Sequence, residues 1–593
     1  MLKMAPEYCF IRLRFLLFRT IFGLGGLYLS SLNVQAQTPQ PPTPQPPPDF
    51  NRIEPEILPE PPPQTPQKLP PADDLLNTPP QPIPQPDSPD NPDVITIKKY
   101  RVTGSTVFSE VELDRITKPF TGNAVPFSQL LEARSAITQH YIDEGYITSG
   151  AYLPAEQVIE DGVVTLQVVE GVLEAIEISG NKHLKSSYVQ KRLQLGSGPP
   201  LNVNELLEAM RLLQIDPLIG NLSAELTAGS EPGLSILQVE VAEAPTFDVQ
   251  LVLDNQRSAS IGSFQRQVVV SEANLFGFGD AARLGYANTD GSNEVDFSYT
   301  FPVNARNGTI SASFSQVWSR VIEEPFDQLN IEGTSRDLSL TFRQPVIQTP
   351  QQELALGLTV GRQESETFLG GRLGIPRVRF PLSPGADNDG RTKITQLRLF
   401  QEWTQRGNDS VLALRSELGI GLDAFDATIN QAAPDGRFFL WRGQGQWVKQ
   451  LAPRTLLLLR SSLQVADRAL VPLQQYGLGG LNSIRGYPQN LLLVDNGLLG
   501  SAEVRIPISQ FGDAQQGLLQ LAPFFDLGHG WNNGEDRQIE DRTLAALGLG
   551  LRWQWSDIIA ARLDWGIPLI SVGPQSSGFD DSQLFFSIVV SPF

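Results

Sequence analysis

The chain has 593 residues, too many for one ordinary domain, with 40% hydrophobic and 19% charged residues and a formal net charge of −20. No run of about 18 apolar residues follows the N-terminus, which excludes a bundle of membrane helices. The acidity, with no basic patch interleaved with aromatics, speaks against nucleic acid as a partner.

The N-terminus carries Lys3, Arg12, Arg14 and Arg19, then the apolar stretch Thr20 to Leu32 and small residues around Val34-Gln35-Ala36. This order predicts a secretory signal peptide over 1–36; an uncleaved anchor from Phe15 to Leu32 is the competing reading, and Arg19 interrupts it. The one cysteine, Cys9, lies in that leader, so a processed chain has neither disulfides nor a cysteine nucleophile. Residues 37–93 hold 22 of the 47 prolines. Proline fixes φ and removes a donor, so this stretch is expected to be an extended linker, a spacer or else a docking ligand. Within it only Ala72 to Asn77, with Leu75 and Leu76, is expected to form a turn of helix.

Residues 94–171 and 172–245 predict two small α+β domains. Val94 to Val102 reads as a strand, Phe127 to Gly145 as a helix capped by Gly145, and Val163 to Val169 as a strand. The order recurs as strand Ala175 to Ile178, helix Val203 to Leu213 and strand Leu234 to Val241. Val102-Thr103-Gly104 aligns with Ile178-Ser179-Gly180, and Glu132-Ala133 with Glu208-Ala209, at one common offset of 76 residues. Two anchors at one offset argue for a duplicated domain.

From 246 to 593 helix signals vanish and sixteen strand-length segments follow. Val295, Phe297, Tyr299 and Phe301 alternate with Asp296, Ser298 and Thr300; Leu547, Leu549, Leu551 and Trp553 alternate with Gly548, Gly550, Arg552 and Gln554. Connections alternate between short (Asn304 to Gly308, Leu451 to Arg454) and long (Val321 to Gly333, Arg468 to Asn496). Persistent alternation, an even count and turns of two lengths predict a 16-stranded transmembrane β-barrel. Parity returns the C-terminus to the side of the N-terminal domains and puts the loop between strands 11 and 12 on the opposite side. The last strand alternates imperfectly, and Pro592 marks a bulge or an end. The three histidines, His140, His183 and His529, are scattered and suggest no metal site, and no nucleophile elbow or phosphate loop is present.

Two segments stand out. Tyr476 to Tyr487 is glycine-rich and ends Ile484-Arg485-Gly486-Tyr487; Phe524-Phe525-Asp526-Leu527-Gly528 lies in strand 13. Period two puts Asp526 and Gly528 on one face and Phe525 and Leu527 on the other, so with the apolar pair in lipid Asp526 points into the lumen. A lumenal carboxylate needs a partner, and arginine offers a bidentate one. The Ile-Arg-Gly-Tyr tip and the Phe-x-Asp-x-Gly strand resemble the signature motifs of two-partner secretion transporters, the hemolysin-activator and filamentous-hemagglutinin type. The likeness spans 94–593.

That resemblance implies an outer-membrane protein whose periplasmic domains are similar to polypeptide-transport-associated (POTRA) domains, which bind extended chains by strand addition. It implies that the long loop folds back into the lumen and pairs Arg485 with Asp526, around which Ile484, Gly486, Tyr487, Phe524 and Gly528 form the transport motif. It marks the terminal aromatic, Phe593, as an assembly signal. The implied partners are a secreted exoprotein client in unfolded form, outer-membrane lipid and, during biogenesis, the barrel-assembly machinery; the protein itself is expected to be a monomer, without cofactor or enzymatic activity. Where the family carries an N-terminal plug helix this chain has its proline-rich segment. An insertase of other barrels and a simple diffusion porin are the alternative functions.

Overall fold

The computed structural model describes residues 75–77, 94–155, 157–371, 374, 376–512, 516–534, 542–572 and 583–592. The leader, most of the proline-rich linker and Phe593 lie outside the described residues.

The first α+β domain packs helices Glu110–Thr117 and Phe127–Asp143 on a three-stranded sheet of Lys99–Thr103, Val163–Val169 and Gly150–Tyr152. The longer helix forms because Leu130, Ala133, Ile137 and Tyr141 recur at helical spacing, and all four are buried. It ends where Gly145 turns to φ +92°. The predicted strand from Val94 to Val102 is corrected: it is two strands in two sheets. Val94–Ile97 pairs with Gly122–Pro126, and Lys99–Thr103 runs parallel to Val163–Val169. The break falls at Lys98, whose N–H bonds to the carbonyl of Gly162 instead of continuing either ladder.

The second domain repeats the plan with helices Ser186–Leu193 and Val203–Gln214 and strands Val172–Ser179, Ile219–Ala228 and Leu234–Glu243. The duplication is visible in one repeated device. Gly104 and Gly180 take φ of +86° and +80°. A Cβ there would fall 2.4 Å from the carbonyl oxygen of Val168 and 2.5 Å from that of Val241. Two residues beyond each valine, a carboxylate accepts the N–H groups of the loop that follows the glycine. Glu170 takes those of Thr106 and Val107, and Glu243 takes those of Lys182, His183 and Leu184.

The expected turn of helix at Ala72 to Asn77 is also corrected. Leu76–Asn77 forms a short strand parallel to Ile219–Ala228, with Leu76 opposite Ala224. Leu75 and Leu76 are buried in the second domain's core with Leu206, Met210 and Leu226. The linker is therefore more than a spacer: two adjacent leucines tie it to a sheet edge, because an edge strand presents unpaired backbone groups that any extended segment can satisfy.

Sixteen strands then close a barrel. Strands 1–5 are Phe247–Asp254, Gln265–Glu272, Ala281–Asn288, Ser292–Pro302 and Thr309–Arg320. Strands 6–10 are Glu332–Gln348, Gln352–Leu369, Arg391–Arg406, Ser410–Leu422 and Phe438–Ala452. Strands 11–16 are Thr455–Ala466, Asn496–Phe511, Gly517–Trp531, Thr543–Trp555, Ile559–Pro568 and Gln583–Val590. A two-residue strand, Val378–Arg379, adds to the end of strand 7. Neighbours are antiparallel throughout, and strand 1 pairs with strand 16 through Leu251–Val590 to Asp254–Ser587. Past that ladder the Asn255 side chain continues the seam, donating to the Leu584 carbonyl and accepting from the Phe586 N–H. Closure matters because an open sheet edge has no partner in hydrocarbon.

The alternation read from the sequence has a physical direction. Phe297, Leu338, Leu340, Leu547, Leu549, Leu563 and Trp565 project outward and are exposed, forming the lipid-facing surface. Inward positions are polar or small, and Glu417, Glu503, Arg505, Asp526 and Asp564 are buried there. The second domain sits against the short turns. The Lys185 N–H donates to the Gly277 carbonyl, the Lys185 ammonium lies 3.1 Å over the Phe278 ring, and Arg192 bonds the Asn307 side chain at 2.7 and 3.0 Å.

Candidate functional site in the barrel lumen

The loop between strands 11 and 12 leaves the wall at Asp467 and returns at Asn496. Its stem is a hairpin of Tyr476–Leu478 with Leu492–Val494. Buried Asp495 fixes the stem by accepting from the N–H groups of Leu470 and Asn533 and from Gln475 Nε2. The tip beyond turns inward and meets the wall formed by strands 12 to 15.

Arg485 is fully buried at the tip. Its Nε and Nη2 donate to the two oxygens of Asp526 at 2.8 and 2.9 Å, a bidentate fork, and its own backbone N–H donates to Asp526 at 3.1 Å. Nη1 bonds Glu503 of strand 12 and lies 3.4 Å from Asp564 of strand 15. Ser501 steadies the far oxygen of Asp526 at 2.7 Å. The guanidinium carbon lies 3.5 Å over the Phe524 ring, so cation–π attraction closes the remaining face. The structure thus brings Arg485, Phe524 and Asp526 into direct contact. Phe525 and Leu527 point outward, 42% and 45% exposed.

The other motif residues make that approach possible. Gly486 takes φ +102°, and its backbone abuts Gly566 of strand 15, where an added Cβ would fall 2.4 Å from the Gly486 nitrogen. Ile484 is fully buried against Gly528, whose added Cβ would fall 2.3 Å from Ile484 Cδ1. The Tyr487 hydroxyl reaches the carbonyls of Ile570 at 2.7 Å and Ala545 at 2.9 Å, anchoring the tip to strand 14 and to the segment that follows strand 15. Leu478, Ile484, Tyr487, Val494, Leu499, Leu544 and Ala546 form one buried apolar cluster behind the charges.

Glu503, Asp564, Ser501 and Arg552 were missed in the sequence. Arg552 bridges Glu503 at 3.0 Å and Asp564 at 2.8 Å. Their signal was present as period two: Ser501, Glu503 and Arg505 alternate with apolar neighbours in strand 12, as Arg552 does in strand 14 and Asp564 in strand 15. Alternation marks a residue as lumenal but does not say which wall positions the loop tip will reach. Among the described residues no group of His, Cys, Asp and Glu is placed to hold a metal ion.

Comparison with known proteins gives this arrangement a context. Residues 95–171 match the POTRA domain of ShlB type. The chain is 23% identical over 436 residues to the heme/hemopexin transporter protein HuxB of Haemophilus influenzae, covering 71% of this chain and 73% of that protein. It is 23% identical over 485 residues to the outer membrane transporter CdiB of Escherichia coli, covering 80% and 79%. The solved structure of CdiB from Escherichia coli superposes with a TM-score of 0.63 at 19% identity, over 86% of this chain and 93% of that one. Residues 233–553, more than half of the chain, match the haemolysin secretion/activation protein family ShlB/FhaC/HecB, and with its closed barrel and N-terminal POTRA domain the chain belongs to that family of outer-membrane, two-partner-secretion transporters.

Proposed function

We propose that the protein carries one partner exoprotein, in unfolded form, from periplasm to cell surface, and that the loop tip is a latch across the path. The observation that carries this reading is the fork from Arg485 to Asp526, made by a loop whose tip folds back against the inner wall. The leader over 1–36 directs export, and Phe593 is the signal read by the barrel-assembly machinery. The POTRA domains catch the client by strand addition. Among the described residues the outer sides of Val172–Ser179 and Gly150–Tyr152 have no paired strand, while the outer side of Ile219–Ala228 carries Leu76–Asn77. The client then passes as Arg485 withdraws from Asp526, and its folding outside biases movement outward.

The relatives include a heme/hemopexin transporter, which supports a secreted client here without identifying it. The test is deletion of the gene with quantitative proteomics of medium and outer membrane, followed by complementation with Arg485→Ala. Loss of one or a few secreted proteins, restored by the wild-type chain and not by the variant at equal barrel levels, is the expected result. A broad fall in other barrels identifies an insertase. Secretion unchanged by Arg485→Ala overturns the latch.

A further inference from the structure

On the periplasmic side of the latch the lumen wall forms an open-sided cavity of about 430 Å³. Its position follows from strand direction. Strands 12 and 14 run toward the periplasm, and the cavity is lined by Arg505 and Arg552, which lie further along them than Glu503 and Gly548, the residues opposite Phe524. Arg562 at the start of strand 15 completes a set of three guanidiniums, and Leu481 and Asn482 of the loop tip form the roof. A chain entering from the periplasm meets this cavity before it meets Arg485.

The composition of the lining is one-sided. In a protein of net charge −20, the cavity has three arginines and no carboxylate among its described lining residues. The nearby carboxylates hold the guanidiniums from behind: Glu503 bonds Arg505 at 2.8 Å, and Arg552 bridges Glu503 and Asp564. The lining also includes the amides of Gln520 and Gln554 and the hydroxyl of Ser587. Arg552 is only 9% exposed, and its Nε has no hydrogen-bond partner. Three guanidiniums around one void, with no carboxylate among the described lining residues, are the composition of an oxyanion site.

We propose that this cavity binds acidic side chains of a polypeptide entering the lumen, giving the chain a foothold one layer below the latch. The proposal rests on the reading of the lumen as the transit path. It commits to a carboxylate carried on a peptide; a free oxyanion such as phosphate shares the chemistry and is the competitor to separate from it.

The full-length protein in lipid nanodiscs is titrated against fluorescein-labelled hexaglutamate, hexaglutamine and hexalysine by fluorescence anisotropy. Arg562→Gln removes one guanidinium. Gln554→Glu places a carboxylate in the cavity while leaving all three arginines. Heat-modifiable mobility in gels confirms that each barrel is folded. Hexaglutamate is expected to bind at least about tenfold more tightly than hexaglutamine, the difference that one charge-assisted hydrogen bond supplies, and to weaken as salt is raised. Each variant is expected to lose about tenfold in hexaglutamate affinity, again the worth of one such bond.

Equal binding of hexaglutamate and hexaglutamine, or an affinity that neither variant changes, overturns the proposal. So does inorganic phosphate that binds in an Arg562-dependent way where hexaglutamate does not, which makes the cavity a small-anion site. The two readings fail separately. If hexaglutamate does not bind but Arg485→Ala stops secretion, the latch stands without the foothold. If hexaglutamate binds and Arg485→Ala secretes normally, the foothold stands and the latch falls.

Discussion

A guanidinium taken fully out of water survives only with carboxylates and donors' acceptors arranged around it, and the reverse holds for Asp526. Removing one partner of such a pair strands the other, a loss of about 3–5 kcal/mol where both are desolvated. Arg485→Ala and Asp526→Ala are each expected to destabilise the folded loop, and the double variant to cost less than the two together. The coupling should be on the order of 1–3 kcal/mol, read from denaturant unfolding of the barrel in a double-mutant cycle. Purely additive losses would mean that the fork holds nothing. A second test uses space and not charge. Gly528→Val places carbon where Ile484 Cδ1 now sits, so it is expected to lift the tip from the wall without touching a charged residue. Cysteine cross-linking between positions 484 and 528 is not needed to see this; increased protease access to the Tyr476 to Leu491 segment reads it directly.

At the scale of elements, the two POTRA-like units rely on the same carboxylate device. Burial would raise the Glu170 carboxyl, yet the hydrogen bonds from Thr106, Tyr141 and Val107 hold it below the usual carboxylate range. Glu243 is likewise held low against burial by the N–H groups of Leu184, Lys182 and His183. A folded-state pKa below the unfolded one contributes stability that is present above the unfolded value, about 4.3 for glutamate, and is lost as pH falls through the folded value. Amide exchange at Thr106–Val107 and Lys182–Leu184 is therefore expected to stay slow from pH 7 to about pH 5 and to speed up below about pH 4, relative to the intrinsic rate. Glu243→Gln should remove that pH dependence in the second domain alone. The linker strand makes its own prediction. Leu76→Asp puts a charge into the core formed with Leu206 and Leu226, so Leu76–Asn77 should leave the sheet edge and exchange at Leu222 to Leu226 should rise, while the barrel is unaffected. Exchange unchanged there would show that the edge is not held by Leu76.

For the whole molecule, the question is what aims the periplasmic arm at the lumen. The second domain bonds the short turns through Lys185 with Gly277 and Phe278 and through Arg192 with Asn307. Arg192 is additionally stacked 3.4 Å over Tyr188, whose hydroxyl bonds Asp216 at 2.7 Å, so the contact is braced from within the domain. Arg192→Ala is expected to broaden the distance distribution between spin labels on the second domain and on a short turn, with secretion slowed and the barrel intact. An unchanged distribution would place the control of orientation in the Lys185 contact.

How much of this was legible before the structure differs by the range of the interaction. The barrel, its strand count and the inward face of Asp526 follow from period two, a local property that each strand carries by itself. The helices Phe127–Asp143 and Val203–Gln214 follow from their buried stripes in the same way. The shorter helices Glu110–Thr117 and Ser186–Leu193 are not legible in the same way, because eight residues carry too little periodicity to register. Pairing is where local reading fails. Nothing in Val94 to Val102 says that Lys98 will bond Gly162 and split one strand between two sheets. Nothing in Leu75-Leu76-Asn77 distinguishes a turn of helix from a strand, because the choice was made by the open edge of Ile219–Ala228, more than a hundred residues away.

The proposed latch divides along the same line. An arginine-bearing glycine-rich loop and a lumenal aspartate can be read from the chain directly, since both are written as short local patterns. That Glu503, Asp564 and the Phe524 ring surround that arginine, and that Arg505, Arg552 and Arg562 line a cavity beneath it, is settled by the folding of the barrel. Those residues belong to different strands, and their meeting depends on barrel closure and on where the loop tip comes to rest, neither of which any one segment encodes.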